Sequence, residues 1–342
     1  METAANSHPK ISFFSDSDWK FFFEQCQSQF RQKEKNSLTS LSGMNNDKPP
    51  RIKKMSSRTA LNFLFILYAI VFNSCRLNEL VYEPKTTPEQ WCRIRPCIDM
   101  GGFIFNEPLG SFLVFLLAFL WVLSGFYFLK KNSGQKSRNW FGIALVLGGI
   151  GAFQAGISYQ AFSYLLKCAG REFCQLTNGF EVGYSVTQAV SVSAMMTAMA
   201  FACTKGLFRK SIIVYSLLNA VIYIIITVIG VSQLNKVLLS FEVLMLFALP
   251  GILLVLLISG IGYIKSRNSL DGSLLMAAVL LVLVNVAYFG YYAAGITASL
   301  YQEGKGFYFS ENDVLHVGMI LWLWYTVTYV GRHLKDIEDI SA

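Results

Sequence analysis

Residues 109–129 read LGSFLVFLLAFLWVLSGFYFL, an apolar run with no charged side chain. A helix rises about 1.5 Å per residue, so about 20 such residues cross a hydrocarbon core of roughly 30 Å. In lipid every backbone polar group must be satisfied within the segment, which makes a run of this length a helix. Similar runs fall at 140–166, 182–203, 211–232, 236–264, 273–300 and 313–332, with a shorter one at 59–75. The expected fold class is all-α, a polytopic transmembrane helical bundle of about eight spans.

Composition agrees. Charged residues make up 15% of the 342 and hydrophobic ones 54%, with mean hydropathy +0.44. A soluble domain carries roughly 25% charge. The net charge of +8 does not point to nucleic acid, because the basic residues flank the spans, where they set orientation. Alternate segments starting from the N-terminus hold about 15 Lys and Arg, including Arg51, Lys130, Arg138, Arg209, Arg267 and Lys335, against about 8 in the others. Both termini are therefore expected in the cytoplasm. Residues 1–58 form a polar cytoplasmic segment, 59–335 the bundle and 336–342 a cytoplasmic tail. No apolar stretch precedes residue 59, so the first span is expected to serve as an uncleaved anchor.

Within the N-terminal segment Trp19, Phe22, Phe23, Cys26 and Phe30 share one helical face, with Ser15 or Ser17 as cap. This amphipathic helix either lies on the inner leaflet or packs on the bundle's loops. Residues 33–50 read as a flexible linker. Cys92, Cys97, Cys168 and Cys174 all fall on the expected outer face. Disulfides persist in an oxidising compartment, but four free thiols satisfy the sequence equally well.

Polar residues in spans are costly and mark either function or interhelical hydrogen bonds. Ala144, Gly148, Ala152, Gly156 and Gln160 recur every fourth residue, a small-residue stripe that suits close helix packing and ends in an amide, with Ser158 beside it. The 182–203 span opens on Glu181, with Ser185 and Gln188 on the same face. The last span opens on Ser310-Glu311-Asn312-Asp313, followed by His316. Ser310 and Asp313 have the spacing of a helix cap, and Asp313 and His316 share a face. These three spans are expected to bring Ser158, Gln160, Glu181, Glu311, Asp313 and His316 to one depth around a common pocket, lined further by Asn285, Tyr288, Tyr291 and Tyr292. Such a pocket suits a small polar head group, or a metal with an activated water.

The stretches Gly156-Ile157-Ser158-Tyr159-Gln160-Ala161-Phe162 and Phe309-Ser310-Glu311-Asn312-Asp313-Val314-Leu315-His316-Val317, with Glu181 between them, resemble motifs of a seven-helix superfamily. That superfamily holds the alkaline ceramidases, the progestin and adipoQ receptors and the post-GPI-attachment hydrolases. The resemblance implies a seven-helix core behind one leading helix, 59–75. It also implies a pocket at the outer face like that of a lipid amide or ester hydrolase. Its characterised enzymes bind zinc through His residues. This chain has three His, and only His316 stands in a motif; His8 and His333 do not. By resemblance the metal donors are Gln160, Glu311 (or Asn312 in its place) and His316, a degenerate set. The catalytic set is Ser158, Glu181, Asp313 and His316, with Glu181 or Asp313 as general base. Three functions follow as expectations: non-catalytic binding of a lipid or small-molecule ligand, zinc-dependent hydrolysis of a lipid, or transport. The partners expected are membrane lipids, not nucleic acid. No inverted repeat of the hydropathy pattern favours transport.

Overall fold

The computed structural model describes residues 75–301 and 306–337. The expected leading span at 59–75, all but its last residue, lies outside them, as do the amphipathic stretch, the linker and most of the tail.

Seven helices among the described residues are long and apolar enough to cross a membrane, with mean hydropathies from 1.4 to 2.7. They correspond one to one with the seven longer runs of the sequence. The segment before the first of them is folded rather than an open loop. It contains helix α1 (Pro88–Ile94), opened by a Thr87–Gln90 capping box, and an antiparallel hairpin of β1 (Cys97–Asp99) and β2 (Ile104–Asn106). A Cys92–Cys97 disulfide ties α1 to β1.

The first spanning helix is α2 (Pro108–Lys130). Helix α3 (Lys136–Ala155) continues into a π-helical turn, Gly156–Ala161, and then breaks before the short α4 (Ser163–Lys167). The expected unbroken span at 140–166 is thus interrupted. A Cys168–Cys174 disulfide closes the loop that follows, and Leu176 N–H donates to Leu80 C=O at 2.7 Å, joining that loop to the chain before α1. Next come α5 (Gly179–Cys203), α6 (Gly206–Gln233), α7 (Phe241–Ser266) and α8 (Ser269–Ala293). Helix α8 stops short of the expected residue 300 because Gly295 adopts φ +62°, a left-handed turn that no continuous helix can pass. Short α9 (Ile296–Tyr301) follows. The last spanning helix is α10 (Glu311–Tyr325), extended by a second π turn, Thr326–Val330, and Gly331–His333.

Glycines set the packing of α2 on α3. A Cβ on Gly142 would lie 2.9 Å from Gly125 C=O, and one on Gly149 would lie 2.8 Å from Ala118 C=O. Backbone cannot retreat from such a contact cheaply, so only glycine permits this approach. The stripe read from the sequence lies on an adjacent face of α3: Gly148 meets the Trp121 ring, and Ser191 of α5 donates to Ala144 C=O at 2.7 Å. It is a packing seam. Gly149→Val is expected to lower stability by about 2–3 kcal/mol, the cost of overpacking a tight interface. A shifted midpoint in a detergent unfolding titration checks this.

Asp336 caps α3 from the far end of the chain. Its carboxylate accepts Lys136 N–H at 2.8 Å and Ser137 N–H at 2.7 Å. Partial burial opposes its charge, but these hydrogen bonds outweigh burial and hold the carboxyl below its ordinary value. A depressed carboxyl stabilises the fold above its unfolded pKa and loses that contribution as pH falls through the folded value. Asp336→Ala is therefore expected to cost about 1 kcal/mol at neutral pH. The difference from wild type should shrink as thermal melts are taken below about pH 4.

Candidate functional site

Ser158 and Gln160 both stand on the π turn that follows α3. One extra residue per turn rotates the backbone, and such bulges are common at functional sites. Ser158 and Gln160 stand two apart on it and leave the helix on opposite sides. The sequence reading placed them together; they belong to two separate clusters.

Ser158 faces α5. Its hydroxyl donates to Glu181 Oε1 at 2.8 Å and accepts from Asn178 Nδ2 at 2.7 Å. Asn178 caps α5, its Oδ1 accepting Phe180 N–H at 2.9 Å. Glu181 Oε1 also lies 2.5 Å from Lys167 Nζ, an ion pair with both side chains nearly inaccessible. Lys167 donates further to Tyr82 Oη at 3.0 Å and Leu176 C=O at 3.2 Å, and sits 5.0 Å from the Tyr159 ring centroid. Burial opposes the ammonium, but the Glu181 charge and Tyr82 outweigh it and raise the Lys167 pKa. Ser158 is wholly buried, and its hydroxyl both donates and accepts within this cluster. Glu181 serves as the counter-ion of Lys167, not as a free base.

Gln160 faces α2 and α10. The common point is Gly110: a Cβ there would lie 2.8 Å from Asp313 Oδ1, 3.3 Å from Gln160 Cγ and 3.6 Å from Glu107 Oε2. Asp313 forms a capping box with Ser310, its Oδ2 accepting Ser310 N–H at 2.7 Å and Ser310 O–H at 3.1 Å. This is the capping role read from the sequence. Its other oxygen, Oδ1, is buried without a hydrogen-bond partner among the described residues, and so is Gln160 Oε1.

Glu107 completes this cluster and was missed by the sequence reading. It immediately precedes Pro108 and takes a left-handed conformation, φ 43° and ψ 67°, which costs a non-glycine residue about 1 kcal/mol or more. That backbone turns its carboxyl inward. Oε1 accepts from Arg95 Nη1 at 3.2 Å. Burial pushes the Glu107 carboxyl up to about 7; Arg95 and a hydrogen bond from Tyr308 oppose this, while Asp313 and Glu311 add to it.

His316 lies one turn beyond Asp313. It points into the bundle, 7% exposed, and its Nδ1 has no partner among the described residues. With Val114, Leu117, Ala152 and Ala155 it lines a cavity of about 180 Å³. A second cavity of about 210 Å³ adjoins it. The two share Trp121, Gln188, Val192, Ile252, Leu281 and Met319 as walls. Asn285 lines the first, as expected. Tyr292 instead points outward at 66% exposure, and Tyr291 donates to Phe309 C=O at 2.8 Å.

Zinc does not fit these donors. Glu311 Oε2 accepts from Thr297 Oγ1 at 3.0 Å, and His316 is the single imidazole at this end. Among the described residues no three His, Cys, Asp or Glu side chains gather as metal ligands. Zinc sites take His, Cys or carboxylate donors, usually at least three from the protein.

No family model matches the chain, and no curated protein or solved structure matches it either. The helices define the class by themselves: a multi-pass helical membrane architecture.

Proposed function

We propose that this protein binds a membrane lipid without hydrolysing it, as a divergent member of the seven-helix superfamily its motifs resemble. The acyl chain occupies the two adjoining cavities, and the polar part of the lipid meets His316, Gln188 and Asn285. The cavities are the observation that carries this reading. The larger cavity, about 210 Å³, is walled almost wholly by apolar side chains, a surface that an acyl chain covers better than water does. A chain drawn from the surrounding lipid fits it. Apolar walls with a few polar groups at one end are what an amphiphile requires.

The non-hydrolytic part rests on the separation of the expected catalytic residues. Ser158 and Glu181 are held in the Lys167 cluster, while His316 faces the cavity. Extraction of the purified protein followed by mass spectrometry is expected to yield bound lipid with its ester and amide bonds intact. Turnover of such a lipid that is lost in His316→Ala would contradict the proposal.

We place the end bearing both disulfides on the non-cytosolic side, in keeping with the Lys and Arg distribution and with the compartments in which disulfides persist. A glycosylation acceptor inserted at Gly101, in the β1–β2 turn, should be modified. One inserted in the turn at Ser133 should not.

A further inference from the structure

The cavity beside His316 specifies a head group as well as a chain. The hydrogen-bonding side chains that line it are Trp121, Tyr184, Gln188, Asn285 and His316. Among the described residues no Asp, Glu, Lys or Arg lines this cavity or the one of about 210 Å³ that adjoins it. Both amides turn their nitrogen to the backbone. Asn285 Nδ2 donates to Leu281 C=O at 2.8 Å, and Gln188 Nε2 donates to Gly148 C=O at 3.3 Å. A planar amide held this way points its oxygen away from that backbone, so each residue offers the cavity an acceptor. Trp121 is the complement. Its Nε1 can only donate, and it is buried without a partner among the described residues. The Cε3–Cζ3 edge of the indole lies against Gly148, which turns the Nε1 edge away from α3. His316 Nδ1 is likewise buried and unpartnered.

These groups discriminate between head groups. A carboxylate or phosphate would face two amide oxygens with no cation to offset its charge. An ammonium would find acceptors but no carboxylate. A charge taken into an apolar site is costly unless it is paired. An ester carbonyl satisfies Trp121 and leaves both amide oxygens without a donor. A hydroxyl donates and accepts at once, so it serves both kinds of group. The two cavities, about 180 and 210 Å³, together fall at the lower end of the range that takes one drug-sized ligand, room for one chain and not two.

We propose that the ligand is a single-chain lipid with an uncharged hydroxyl head, a long-chain alcohol or a monoacylglycerol. Its O–H donates to the Asn285 or Gln188 oxygen and accepts from Trp121 Nε1. This rests on the lipid-binding reading above and names the ligand class of that site.

The test is equilibrium binding of radiolabelled oleyl alcohol to the purified full chain in detergent, with competitors of the same chain. These are methyl oleate, oleic acid, oleylamine and oleoyl lysophosphatidylcholine, at about pH 8, where the acid and the amine are both charged. Oleyl alcohol should bind at least tenfold tighter than each of them. Asn285→Leu, which keeps the volume and removes an acceptor, should lower alcohol affinity severalfold and leave methyl oleate unchanged. The unchanged ester separates a lost hydrogen bond from a damaged fold. Equal affinity for the alcohol and the methyl ester would overturn the head-group assignment and leave lipid binding standing. Tightest binding of the acid, the amine or the lysophospholipid would overturn the requirement for an uncharged head. Binding of none of the five would remove the lipid reading itself, and the ligand class with it.

Discussion

Replacing Lys167 by Met is expected to destabilise the protein by about 3–5 kcal/mol, the largest single effect among the substitutions considered. The substitution leaves the Glu181 carboxylate buried with Ser158 as its remaining hydrogen-bond donor. It also removes the donors to Tyr82 and to Leu176 C=O, so the segments before α1 and after the Cys168–Cys174 loop lose their common anchor. The penalty arises from the charge left behind and not from the strength of the pair. A buried ion pair roughly breaks even against apolar residues of similar volume. The double variant Lys167→Met/Glu181→Leu should therefore recover much of the loss, with Asn178 still able to bond Ser158. Unfolding midpoints of both variants in the same detergent decide this. If the double variant is as unstable as the single one, the cluster is held by geometry and not by charge.

Val192→Trp carries the second large effect. Val192 lines both cavities, and an indole there projects across their junction. Wild type stripped of lipid is expected to lose stability, because anything that binds the native state alone raises its stability by mass action. The variant should bind at least tenfold less lipid, yet fall less far on delipidation because the side chain fills part of the space. A lost affinity together with a smaller delipidation penalty separates a filled cavity from a damaged fold. A core that merely tolerates a void would show neither change.

Much of the architecture was legible because a membrane span is written in one variable, apolar length. The run at 109–129 became α2 almost residue for residue. Where helices break, length is silent. Nothing in the apolar pattern around Gly156–Ala161 announces a π turn. That Ser158 and Gln160 meet different neighbours was readable, because side chains two apart on a helix do not face each other. The cap formed by Ser310 and Asp313 was readable because it is local, set by spacing of three. The Lys167–Glu181 pair was not, because Lys167 sits in a connecting segment where a charge ordinarily faces water. Glu107 was hidden for a similar reason: an acid just outside a span looks solvated until the left-handed backbone before Pro108 turns it inward. Helix-period reasoning placed His316 and Asp313 on one face, and the imidazole does point into the bundle. The pocket it meets is nonetheless apolar, and the acids stand a turn away.

Lipid binding as proposed puts an acyl chain inside the bundle and not only around it. A lipid bearing a photoactivatable group on its acyl chain, irradiated with the protein in vesicles, tests this most directly. Adducts are expected on Met195, Met199 and Trp322, which line the cavity of about 210 Å³, and should disappear in Val192→Trp. Adducts confined to Leu253, Leu257 and Ile261, on the outward face of α7, would contradict it.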